Sequence, residues 1–158
     1  MKLSVFALSF LLTGMASLSA QAEGLEARQT VEKIVAVTQA DGSVEITYVP
    51  ADRAAPGDEL VHAVVYTNNA ANAAEGVVLS MPIEASMVYL EGSALTPTAD
   101  VTFSVDGRNF VSRSELVVNE NGTPRPASAA DVRAVRWALK APIAAGATGK
   151  VSLRTALK

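Results

Sequence analysis

Apolar and polar residues alternate in short runs along this chain, and turn residues cut the runs at intervals of roughly ten positions, the spacing of an antiparallel β-sandwich. Val31 to Thr38 and Val44 to Val49 flank Asp41-Gly42. Asp-Gly accepts the positive φ angles of a tight hairpin turn, so these two runs predict a hairpin. Val44, Ile46 and Tyr48 alternate with Glu45 and Thr47, which gives the second strand one apolar face. Pro56-Gly57-Asp58 then turns the chain into a strand over Leu60 to Thr67. Leu60, His62, Val64 and Tyr66 share one side, and Val61, Ala63, Val65 and Thr67 the other. Both sides are mostly apolar, which predicts a central strand.

The pattern continues downstream. Asn68 to Asn72 reads as a loop, and Val77 to Met81 as a strand that Pro82 ends, because proline has no N–H for the ladder. Met87 to Leu90 is a short strand closed by Glu91-Gly92-Ser93. Val101, Phe103 and Val105 alternate with Thr102 and Ser104 before a second Asp-Gly turn at Asp106-Gly107. Glu115 to Val118 is a further strand. Glu120 to Ser128 reads as the longest loop, since it holds Asn121-Gly122, Pro124 and Pro126. Val135, Trp137 and Leu139 face one way, with Arg136 and Lys140 on the other side. The last strand carries Val151, Leu153, Thr155 and Leu157. Ala127 to Asp131 has room for one helical turn, and no helix of ordinary length is predicted. The expected fold is all-β, an immunoglobulin-like antiparallel β-sandwich of about seven to nine strands. Residues 55–158 form that domain, and residues 23–54 an N-terminal hairpin packed on it or continuous with it.

The start of the chain is read differently. Lys2 precedes an apolar run from Leu3 to Leu12, too short to span a bilayer, and Ala20-Gln21-Ala22 is a small-x-small cleavage site. Residues 1–22 therefore predict a secretory signal peptide, and a periplasmic or extracellular location after cleavage near Ala22. The segment removes only Lys2 from the charge balance, leaving 12 basic and 16 acidic residues. A net charge of about −4, with no basic cluster, predicts no nucleic-acid partner. No second apolar run is long enough to span a membrane. Cysteine is absent, so the core must hold without disulfides, which 158 residues allow. Aromatic residues make up only 5% of the chain, so alanine and valine must fill the core.

Candidate chemistry is sparse. His62 is the only histidine. With no cysteine, this leaves no His/Cys zinc cluster and no Cys–His nucleophilic pair. A Ser-His-Asp triad would have to use His62, which sits mid-strand in core phase and reads as a packed residue. His62, Met81 and Met87 are a candidate copper set, because thioethers suit Cu(I); the competing reading is that both methionines fill core gaps. Asp52, Asp58 and Glu59, with Glu84 a fourth candidate, could offer hard oxygens to calcium. Asp58 is more simply a turn residue bonding its own backbone. Trp137 shares phase with Val135 and Leu139 and is assigned to the core, which leaves Arg136 facing solvent or a carboxylate. No cofactor is called for, and no catalytic residue is assigned.

Several pieces in order resemble the bacterial conserved-repeat family known as "domain of unknown function 11". They are Pro56-Gly57-Asp58-x-Leu60-x-x-x-Val64-x-Tyr66-x-Asn68, then Val77-Val78-Leu79 with Pro82-Ile83, then Val88-Tyr89-Leu90-Glu91-Gly92-Ser93. Asp100 to Gly107, Val135-Arg136-Trp137 and Ala141-Pro142-Ile143-x-x-Gly146-x-x-Gly149-x-Val151 continue the likeness. The resemblance implies an immunoglobulin-like sandwich of envelope or surface proteins and brings no catalytic residues with it. The expected function is that of an exported, non-enzymatic structural or protein-interaction module. Its partner would be a protein held by loops or an edge strand, with the oligomeric state left open. The rival expectation is an extracytoplasmic binder of a metal (copper or calcium) or of a small ligand.

Overall fold

A computed structural model describes residues 24–52 and 54–158. The segment read as a signal peptide lies outside the described residues. Among the described residues ten strands follow one another: β1 (Leu25–Thr38), β2 (Val44–Pro50), β3 (Glu59–Asn68), β4 (Val78–Pro82), β5 (Met87–Tyr89), β6 (Ala99–Ser104), β7 (Val117–Glu120), β8 (Thr123–Pro126), β9 (Ala134–Leu139) and β10 (Thr148–Leu157). Short 3-10 turns stand at Arg113–Glu115 and Ala129–Asp131. Among the described residues no helix is long and apolar enough to cross a membrane.

The strands form a sheet in the order β2-β1-β3-β10-β5, a second in the order β4-β9-β6, and the two-stranded ribbon β7-β8. All pairings are antiparallel. Leu60, Val64 and Tyr66 from β3 and Val151 and Leu153 from β10 share one core with Leu79 and Met81 from β4 and Val135 and Trp137 from β9. The Tyr89 and Phe103 rings meet across the layers, tilted, with centroids 5.5 Å apart. This is the all-β sandwich the alternation predicts. The architecture is immunoglobulin-like, two antiparallel sheets over a shared core. Within it the pairings nest: β3 pairs with β10 in the larger sheet and β4 with β9 in the smaller one.

Local chemistry sets the turns. The Asp58 N–H closes the Pro56-Gly57 turn on the Ala55 carbonyl at 3.0 Å. The Asp58 carboxylate accepts the Ala55 N–H at 2.7 Å, as its turn reading requires. Asn68 ends β3 fully buried. Its amide donates to the carbonyls of Asn72 and Ile143, both at 2.8 Å, and its oxygen accepts the Ala70 N–H. One side chain thus satisfies three backbone groups at the mouth of a loop. The Trp137 indole is also fully buried and donates to the Ala94 carbonyl at 2.9 Å.

Three readings change. The Asp41-Gly42 turn is a three-residue connection: Gly42, at φ 83°, donates to Gln39 O, and Gln39 donates to Ser43 O. That is a type I turn followed by a glycine bulge. β1 begins six residues before Val31, because Leu25 to Thr30 find partners on β3 that no local pattern announces. The Glu120–Ser128 segment is mostly strand, with β7 and β8 joined by Asn121-Gly122 at φ 53° and 85°. This extra strand takes the total past nine. Asn-Gly is the strongest two-residue hairpin signal, and the two prolines obscured it. Both prolines stand at alternate positions of β8, opposite Asn119 and Val117, where the missing N–H faces away from β7.

Candidate functional site

The site begins with the length of β1. Its residues Leu25 to Lys33 pair with β3, whereas Ile34 to Thr38 run past the end of β3 and pair only with β2. The hairpin therefore overhangs the sandwich. Ile34 stands opposite Tyr48, Ala36 opposite Ile46 and Thr38 opposite Val44, so all six share one face. The apolar face read from the alternation in β2 is not covered by the fold. Val44 is 62% exposed, Ile46 52% and Tyr48 55%. Val37, on the opposite face, is 40% exposed.

The overhang forms one side of an open groove of about 640 Å³ on the outer face of the larger sheet. Ile34, Ala36, Ile46 and Tyr48 make its apolar wall, and Asp58, Glu59 and Arg154 its polar end. Lys33 approaches Asp58 at 2.7 Å and holds its carboxyl below the usual carboxylate range, helped by the Ala55 N–H. Arg154 stands 3.5 Å from Glu59. The charges at the groove's end are thus matched within the chain.

β2 is the last strand of its sheet, and its second edge pairs with nothing among the described residues. The other sheet margins are shorter or interrupted. β5 has three residues, β4 ends on Pro82, and β6 is bridged at Phe103 by Val111. The seven-residue β2 carries no lysine and no bulge, and its one proline is the terminal Pro50. Of the devices by which edges are ordinarily kept from pairing, β2 has only Glu45 and the terminal Pro50.

The candidate copper residues meet only in part. Thr155 Oγ1 lies 2.9 Å from His62 Nε2 and donates to Met87 Sδ at 3.5 Å. The threonine oxygen stands between the two ligand atoms. Met81 lies on β4 in the facing sheet, 1% exposed. Burial pushes the His62 imidazole down to about 4. The calcium candidates do not converge: Asp58 is taken by Lys33, Glu59 faces Arg154, and Asp52 and Glu84 are exposed on separate turns. Among the described residues no group of three or more His, Asp or Glu side chains is placed to hold a metal ion.

Arg136 is half-buried and meets no carboxylate. Its guanidinium lies 3.6 Å from the centroid of the Phe110 ring and donates to Ser80 Oγ. The turn at Asp106 carries Phe110 back over the smaller sheet. Four hydrogen bonds to the Asp106 carboxylate, from Ser104, Arg108 and Asn109, fix that turn and hold the carboxyl well below its ordinary range. Arg125 joins Glu120 and Asp131, and Arg113 pairs with Glu91 and donates to the Ala127 carbonyl. These pairs fasten the β7-β8 ribbon to the sandwich. No protein-family model, curated protein or solved structure matches the chain. The reading of the site therefore rests on its own geometry. From the sequence, Gln29 to Val49 is expected to pair within the domain or to add to a neighbour's sheet, without the β2 edge being singled out. The signal for that edge was its apolar alternation.

Proposed function

We propose that this chain is an exported, non-enzymatic interaction module of the cell envelope that takes up a protein strand along β2. The observation that carries the reading is the open β2 edge with its exposed row of Val44, Ile46 and Tyr48. An added strand would gain main-chain hydrogen bonds from the edge, and its alternate side chains would cover the apolar wall of the groove. Exposed apolar rows of this kind mark contact surfaces in soluble proteins. Export is supported by the Lys2, Leu3-to-Leu12 and Ala20-Gln21-Ala22 pattern. Envelope placement is supported by the ordered motifs that resemble the conserved-repeat family.

The test is photo-crosslinking in the native host, with p-benzoylphenylalanine in place of Tyr48. Asp100, exposed on the smaller sheet, serves as the control position. A protein adduct at position 48 and none at position 100 is the expected result. No adduct at 48, or equal adducts at both positions, would remove the reading.

A further inference from the structure

We infer that the strand taken up at β2 is β2 of a second copy, so that two five-stranded sheets join edge to edge. The inference rests on the strand-addition reading and names its partner. The first argument is the hydrogen-bond phase of β2. Gln39 donates to Ser43 O at 2.8 Å, which makes that pair the bonded one at the hairpin tip. Alternation then makes Val37–Glu45, Val35–Thr47 and Lys33–Val49 the bonded pairs, and leaves the N–H and C=O of Val44, Ile46 and Tyr48 directed away from β1. Pro50 falls in the same outward phase, so the ladder to β1 loses no donor to it.

The second argument is that this edge is complementary to itself. Antiparallel pairing about a two-fold axis at Thr47 aligns all seven residues. Ile46 then stands across from Tyr48, Thr47 from Thr47 and Glu45 from Val49. Aromatic with β-branched, and Thr with Thr, are stabilising cross-strand pairs. The outward groups of Val44, Ile46, Tyr48 and Pro50 meet in about six main-chain hydrogen bonds. A two-fold axis normal to the sheet keeps each face on its own side, so the two exposed rows lie side by side and the apolar walls become continuous. A register shifted to an axis at Glu45 would set two carboxylates against each other, which is destabilising.

Charge favours the same partner. Glu45 is the one charged residue of β2, and the Gln39 amide holds its carboxylate at 2.6 Å. A partner selected by charge would find nothing on this edge to read, whereas a second copy requires no opposite charge. Two seven-residue edges make a contact at the small end of the interface range, below about 1,200 Å². The dimer is therefore expected to dissociate on dilution.

Sedimentation velocity on the purified protein, from low micromolar to low millimolar concentration, tests this. The wild type is expected to pass from monomer to dimer. Ile46→Lys should stay monomeric with an unchanged melting temperature, and Tyr48→Lys serves if that variant folds poorly. Amide exchange at Val44, Ile46 and Tyr48 should slow with concentration in the wild type only. A wild type that stays monomeric overturns the inference. So does a dimer that survives both lysine variants, or one that leaves those three amides unprotected. A monomer that still crosslinks through position 48 to a different protein would sink self-pairing and leave the strand-addition reading standing.

Discussion

His62 carries the chain's only imidazole into the sandwich core, 6% exposed, beside the Thr155 hydroxyl. Burial disfavours its charged form and lowers its pKa from 6.5 to about 4. Above pH 6.5 the ring is neutral in both the folded and the unfolded chain, and the stability it permits is fully present. As the pH falls from there to about 4, the unfolded chain takes up a proton that the folded chain refuses. The loss is on the order of 3 kcal/mol and is complete near the folded value. Urea denaturation at neutral pH and at about pH 4.5 should show the wild type losing markedly more stability than His62→Gln. Equal losses would take His62 out of the acid sensitivity. Asn68 makes the same point about polar residues in the core. Two asparagines at the end of a strand read as loop residues, yet Asn68 is fully buried because the carbonyls of Asn72 in the adjoining loop and of the distant Ile143 need its donors.

At the scale of elements, the β7-β8 ribbon shows how a local signal can be present and still be overruled in reading. Asn121-Gly122 supplies the two positive φ angles that a tight hairpin needs. The prolines beside it suggest a breaker, but proline is harmful only where its N–H would be used. Gly122 has φ 85° and open space where a Cβ would stand. Gly122→Ala therefore meets no clash, and its cost is the left-handed backbone alone. A loss of about 1 kcal/mol in equilibrium urea denaturation is expected. A stability unchanged from the wild type would mean that the ribbon does not share in the global unfolding. The β1-β2 hairpin shows the converse. Its strands were legible from alternation, but whether the apolar face of β2 is covered depends on which side of the sheet the second layer packs against.

At the scale of the whole molecule, the nesting of strands joins residues far apart in the chain. β3 pairs with β10 through Val64 opposite Val151 and Leu60 opposite Thr155, so the centre of the larger sheet closes only when the last strand arrives. Such long-range pairing requires loop closure before any contact rewards it, which slows folding. Refolding followed by Trp137 fluorescence should fall in the millisecond-to-second range. A microsecond phase carrying the whole amplitude would contradict this topology as the rate-limiting step.

Alternation and turn chemistry alone determined that this is an all-β chain, where most strands lie, that β3 is central, and that Trp137 and Asp58 serve core and turn. Those properties are local: a side chain's phase and a turn's φ angles are set within a few residues. The tertiary structure decided the rest, namely the nested strand order, the partners of Leu25 to Thr30, the meeting of Arg136 with Phe110, and above all which apolar face stays open. An apolar row has the same sequence whether a second layer covers it or not. The difference lies in which side of the larger sheet the second sheet packs on: the row shares the outer side with Val61, away from Leu60 and the core, and no residue in β2 records that.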